Sequence, residues 1–213
     1  MSEFLQQIKE AVVLRRPKEI EDLVRAAVAN GENLDAVMND GLIAAMDVVG
    51  KQFGSGEIFV PEMLVSAMIM KKGLEVVKPL LAGQAPSDKG TIIMATVKGD
   101  LHDIGKNIVC MMLEGAGFRV IDLGVDQTVE TLVQKVVEIK PQVVGLSALL
   151  TTTMPEMKKV IEALTEKGLR GQVKVMVGGA PVDDKFARQI GADGYAADAA
   201  QAVEIARGLV AAA

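Results

Sequence analysis

Near Gly90 the hydrophobic pattern of this 213-residue chain changes period, from helical repeats to short runs alternating with helices, and that change sets the fold classes open to it. Upstream, the 3.6-residue period recurs in four segments. Ser2 can cap a first helix carrying Phe4, Leu5, Ile8, Val12 and Val13 on one side. Pro17 suits the first turn of a second, with Ile20, Leu23, Val24 and Ala27 as its apolar stripe and Asn30-Gly31 as its stop. A third spans residues 34–53 through Val37, Met38, Leu42, Ala45, Met46 and Val49, and Gly54-Ser55-Gly56 ends it. Pro61 opens a fourth, with Leu64, Met68, Leu74, Val77 and Leu81 expected to face inward. Short connections make these a four-helix bundle. The polar, Gly- and Pro-containing stretch 82–90 reads as a linker, dividing the chain into a helical domain, 1–85, and a second domain, 86–213.

Downstream, β-branched runs at 91–97, 119–123, 142–147, 172–177 and 194–196 are each followed by a helical pattern, at 106–116, 129–139, 155–167, 183–190 and 199–210. Five consecutive βα units predict a doubly wound, five-stranded parallel α/β sheet of flavodoxin-like (Rossmann-like) type, in the order 2-1-3-4-5. Right-handed crossovers would gather every βα loop at one edge.

Half the residues are hydrophobic, yet aromatics are limited to five Phe and one Tyr, so the core is aliphatic. A net charge of −5 without a basic cluster speaks against nucleic acid as a partner. A single cysteine rules out an internal disulfide framework and fits a reducing cytosol; Cys110 lies on an apolar helical face as a small core residue. No apolar run approaches the ~20 residues of a membrane span, and residues 1–6 lack the features of a signal peptide, so a cytoplasmic location without membrane association is expected. There is no G-x-G-x-x-G or Walker A sequence, and one His with one Cys cannot build a zinc site from protein ligands alone.

That lone histidine, His102, falls between the first strand and its helix, on a loop where open α/β sheets hold ligands. Asp100, two residues earlier, could fix the imidazole tautomer and raise its basicity. Gly105 would let something bulky approach the backbone. The alternative is a surface histidine at a helix N-terminus. Beyond the third strand lies a hydroxyl-rich loop containing Ser147, Thr151 and Thr153, where Thr153 could also cap the helix at Pro155. Gly178-Gly179 after the fourth strand could equally be an ordinary tight turn.

The pattern Asp100-x-His102-x-x-Gly105, within residues 95–109, resembles the signature of corrinoid (cobalamin-binding) proteins of methyltransferase systems and of the cobalamin module of methionine synthase. The resemblance implies cobalamin bound with its benzimidazole displaced, base-off, and His102 as axial ligand to cobalt. It assigns Gly99, Asp100, Leu101, His102, Asp103, Ile104 and Gly105 to cofactor binding. Ser147, Leu149 and Thr151 would line the pocket for the displaced tail, with Thr153 completing a hydrogen-bonded chain through Asp100 to His102. Methionine synthase has serine at that position; Thr153 keeps the hydroxyl. Gly178, Gly179 and Ala180 would leave room for the nucleotide tail, with Tyr195 and Ala199 beyond them. Residues 51–63 resemble the family's helical cap, which assigns Phe53, Val60 and Met63 to the methyl face.

What the resemblance implies is a methyl carrier, cycling between methylcobalamin, cob(I)alamin and cob(II)alamin. It would act as the cofactor-carrying subunit of a multi-component methyltransferase and would not be catalytic on its own. His102, Asp100 and Thr153 would tune the cobalt. Its partners would be a substrate-specific methyltransferase, a second methyltransferase acting on tetrahydrofolate or a thiol, and a reductive activase for oxidised cobalt. Methylamine, methanol, a betaine or an aryl methyl ether all remain open as donor. The alternatives are a cobalamin-binding subunit of an adenosylcobalamin isomerase, which would bring a substrate barrel, and a cobalamin-sensing regulator, which would bring a DNA-binding domain before the helices. A signalling receiver lacks support, because Lys98-Gly99 stand where its acidic cluster would follow the first strand.

Overall fold

The computed structural model describes residues 2–81 and 89–212, so most of the stretch expected to be a linker lies outside the described residues. The backbone forms two compact units, Met1–Asp88 with Glu114–Gly117, and Lys89–Leu113 with Phe118–Ala213.

The first unit is helical. Helix α1 (Glu3–Val13) starts where the Ser2 hydroxyl accepts the Leu5 N–H at 3.3 Å. Helix α2 (Ile20–Ala29) starts three residues past Pro17, which sits in the preceding turn and not in the helix as expected. The third helical stretch runs through α3 (Leu34–Ala36), a π-helical segment Val37–Ile43 and α4 (Ala44–Gly54), all in right-handed backbone. Gly41 lies in the π segment, where a Cβ would meet Ile8 Cγ2 at 3.1 Å. Pro61 stands in the first turn of α5 (Val60–Val77), and a 3₁₀ turn, Lys78–Leu81, follows it.

The face that α5 buries differs from expectation. Met68 is 57 % exposed, and Leu64 and Leu74 are only partly buried. Val77 is buried as expected, the side chain of Leu81 lies outside the described ones, and the rest of the buried face is Met63, Ser66, Ala67, Ile69, Met70 and Gly73. Small residues allow this packing. A Cβ on Gly73 would lie 2.7 Å from Leu42 Cδ2, and the Ser66 hydroxyl donates to the Val12 carbonyl at 3.0 Å. Close helix approach at small side chains decides the face here, and a count of large apolar residues does not register it.

From Lys89 onward the chain alternates β1 (Thr91–Thr96), α6 (Ile104–Gly115), β2 (Arg119–Asp122), α7 (Val129–Ile139), β3 (Val143–Ser147), α8 (Met154–Glu166), β4 (Lys174–Gly178), α9 (Asp184–Ile190), β5 (Gly194–Ala196) and α10 (Ala199–Ala211). All strand pairs are parallel, in the order β2-β1-β3-β4-β5, as expected. On one face Ile93, Ala95, Val144, Leu146, Val175 and Val177 pack against apolar side chains of α7, α8 and α9. The central strands are buried on both sides, which explains why they read as continuous apolar runs. Thr128, Asp183 and Asp198 cap α7, α9 and α10 through their side chains. The register places Thr96, Ser147, Gly178 and Ala196 in one row across four strands. The loops leaving those residues therefore open at a common edge, which is where the candidate site lies.

Candidate functional site

The chain leaves β1 at Thr96, whose hydroxyl donates to the His102 carbonyl at 3.0 Å and closes the histidine loop on itself. Gly99 turns with φ +79°, a left-handed conformation that favours glycine. The turn drives Asp100 inward until its side chain is fully buried.

Each carboxylate oxygen of Asp100 has its own partners. Oδ1 accepts the His102 backbone N–H at 3.1 Å and faces His102 Nδ1 at 2.7 Å. Oδ2 accepts the N–H groups of Leu149 at 2.7 Å and Leu150 at 3.2 Å, together with the Thr153 hydroxyl at 2.8 Å. Burial alone would push the Asp100 pKa up. The bonds from Leu149, the His102 ring, Thr153 and the His102 amide outweigh it and hold the carboxyl well below the usual carboxylate range. Asp100 is thus an anion, and an anion facing Nδ1 fixes the proton there. Nε2 belongs to a side chain that is 51 % exposed.

Thr153 is the residue before α8, yet its hydroxyl does not cap that helix. It serves Asp100, with a second contact to the Leu150 carbonyl at 2.9 Å. Of the two roles open to Thr153 in the sequence, the structure shows the hydrogen bond to the aspartate.

Several of the exposed side chains on the histidine loop and its neighbour are large and apolar. Leu101 is 72 % and Ile104 77 % exposed, and Leu149 and Leu150 lie outward on the neighbouring loop. Gly105 has open space where a Cβ would project. An exposed imidazole near exposed aliphatic groups, with a bare backbone beside it, suits a broad ligand whose metal takes one nitrogen. These residues fit cobalamin, the group that the resemblance implies.

The remaining expected site residues distribute as follows. Asp103 is exposed and accepts the Asn107 side-chain amide at 3.1 Å. Ser147 is partly buried at the end of β3, and Thr151 is exposed on the following loop. Gly179 (φ +123°) and Gly178 need to be glycine for a backbone reason. A Cβ on Gly179 would lie 1.9 Å from the Ala148 carbonyl oxygen, and one on Gly178 would lie 3.0 Å from that of Ala196. The volume they spare is filled by neighbouring backbone, while Ala180 beyond them is exposed. Tyr195 packs against the sheet core and Ala199 is buried. In the helical unit, Met63 is fully buried and Phe53 and Val60 are partly buried.

Two features escaped the sequence reading. Lys106, in the first turn of α6, is a buried ammonium ion-paired with Asp122 at the end of β2 and donating to Asn107 Oδ1 at 2.9 Å. Asp126, on the loop after β2, bonds to both Gly99 and Asp100. The only sequence cue for Asp126 is its place on the same sheet edge as the other βα loops. Among the described residues no cluster of His, Cys, Asp and Glu could hold a metal ion by itself.

Comparison with known proteins yields two family models, both described as B12 binding domains, over residues 90–204 and 4–78. The chain is 47 % identical to trimethylamine corrinoid protein 2 of Methanosarcina mazei over 85 % of its own length and 84 % of the relative's. It is 45 % identical to dimethylamine corrinoid protein 1 of Methanosarcina acetivorans over 98 % of both. Its structure superposes on a chain of the methanol:cobalamin methyltransferase complex of Methanosarcina barkeri with a TM-score of 0.89. That match has 33 % identity and covers all of this chain and 81 % of the other.

Proposed function

Because the chain belongs to the B12-binding family of corrinoid proteins and takes cobalamin as its cofactor, we propose that it is a methyl carrier whose His102 binds cobalt in place of the displaced benzimidazole. The observation that carries this reading is the Asp100–His102 pair, which holds the proton on Nδ1 and turns Nε2 outward. Bound cobalamin supplies a metal centre that can accept a methyl group and hand it on. The protein presents one imidazole and holds its Nδ1 side against Asp100. Asp100 stabilises positive charge developing on the ring, and Thr153 steadies Asp100.

A substrate-specific methyltransferase would load the carrier, as the relationship to a methanol:cobalamin methyltransferase complex supports. Donor choice would rest with that enzyme, and the names of the amine-linked relatives make methylated amines the first donors to try. A second methyltransferase would move the methyl group to tetrahydrofolate or a thiol, and a reductase would restore oxidised cobalt. Phe53, Val60 and Met63 would shield the reactive face of the cofactor between encounters.

The chain has one histidine, so labelling histidine with ¹⁵N marks a single ring. In the electron paramagnetic resonance spectrum of the cobalt(II) protein, the superhyperfine triplet from ¹⁴N should become a doublet. A spectrum unchanged by the label would overturn His102 as the ligand.

A further inference from the structure

We propose that Asp126 is a positioning residue for His102, acting through the Gly99–Asp100 segment. The proposal rests on the reading of His102 as the axial ligand. Asp126 Oδ1 accepts the Gly99 N–H at 2.7 Å, and the Asp126 N–H donates to the Asp100 carbonyl at 3.0 Å. One residue thus grips the turn at two points, one through its side chain and one through its backbone. Asp126 reaches both only by adopting φ +53°, a left-handed conformation that costs a non-glycine residue energy. Aspartate is among the few residues that tolerate it.

The grip has a mechanical purpose. The Asp100 side chain is fixed at Oδ2 by the β3–α8 loop and at Oδ1 by His102. Those bonds aim the imidazole only while the backbone of Asp100 stays in place. Gly99, at φ +79°, is the freest joint in that backbone. The loop after β2 is itself anchored, since Thr96 N–H donates to the Gly124 carbonyl at 2.9 Å and Gln127 N–H to the Thr96 carbonyl at 3.0 Å. Asp126 therefore transfers the rigidity of the sheet edge to the joint, holding the ring in position whether or not it is bound to metal.

Asp126→Gly and Asp126→Asn separate the parts of this contact. Glycine keeps the N–H to Asp100 and relieves the left-handed strain but removes the side-chain acceptor, whereas asparagine keeps a neutral acceptor. The first readout is the ¹⁵N shifts of the lone histidine ring in cofactor-free protein. Wild type should show the Nδ1–H tautomer, Asp126→Gly a mixture of tautomers, and Asp126→Asn an intermediate. The second is the fraction of histidine-ligated cobalt after reconstitution. The ligated-to-unligated ratio should fall about fivefold in Asp126→Gly, the worth of one intramolecular hydrogen bond. Ring shifts identical to wild type in a folded Asp126→Gly would overturn the proposal. If that variant does not fold, identical shifts in Asp126→Asn together with unchanged hydrogen exchange at the Gly99 amide would overturn it. A wild type without imidazole ligation would overturn only the axial-ligand reading, because the tautomer in cofactor-free protein still decides what Asp126 does.

Discussion

Protonating Asp100 would leave a carboxyl group facing five donor contacts, which makes acid the simplest probe of the site. The folded-state pKa of Asp100 lies below its ordinary value of about 3.9. Its contribution to stability is therefore complete above pH ~4 and is lost as pH falls through the lowered folded value. Asp100→Asn should cost about 2–3 kcal/mol at pH 7, the scale of hydrogen bonds to a charged group left without their acceptor. Urea unfolding at a series of pH values should show that deficit shrinking in acid, and a constant deficit would mean that the charge contributes nothing. Thr153→Val removes one neutral donor and should cost about 1 kcal/mol, with Thr153→Ser close to wild type. At this scale the sequence revealed Asp100, His102 and Thr153 because they lie in a short recognisable pattern and a hydroxyl loop. It hid Asp126 and the Lys106–Asp122 pair, because contacts between separate loops leave no local spacing to read.

Among the elements, the first turn of α6 and the β4–α9 turn place glycine in opposite surroundings, and substitution should separate them. Gly179→Ala would drive a methyl group into the Ala148 carbonyl at an unfavourable φ, and thermal unfolding should show a loss of several kcal/mol. Gly105→Ala meets open space inside α6, so the cofactor-free protein should be as stable as wild type or slightly more so. Its cobalamin affinity should nonetheless fall, by equilibrium dialysis, if the corrin lies against that backbone; unchanged affinity would remove Gly105 from the site. The Lys106–Asp122 pair ties α6 to β2. Asp122→Asn should cost more stability than Lys106→Met, because it strands a buried ammonium while the methionine leaves a half-exposed carboxylate. Element order and strand sequence were legible because period 2 and period 3.6 differ sharply. The π-helical stretch Val37–Ile43 was not, since its side chains repeat much as an α-helix does. The buried face of α5 was misjudged because Ser66, Ala67 and Gly73 pack by being small.

For the whole molecule, the hydrogen bonds described for the Asp100 and His102 side chains come from the sheet's own loops. A chain beginning near Lys89 should accordingly still bind cobalamin. If Phe53, Val60 and Met63 cage the methyl–cobalt bond, that shortened protein should photolyse faster in its methyl form, with Phe53→Ala giving part of the effect. Equal rates would leave the helices a structural or docking role. No described helix is long and apolar enough to cross a membrane.

The partners of Asp100 also set a timetable. Leu149, Leu150 and Thr153 follow it by 49, 50 and 53 residues, and β3, a direct neighbour of β1, starts only at Val143. As the chain leaves the ribosome, the helices upstream of Lys89 can therefore form while His102 still faces a carboxylate lacking three of its donors. If His102 takes the cobalt, the bonds that aim it are completed only once the second half of the sheet has emerged.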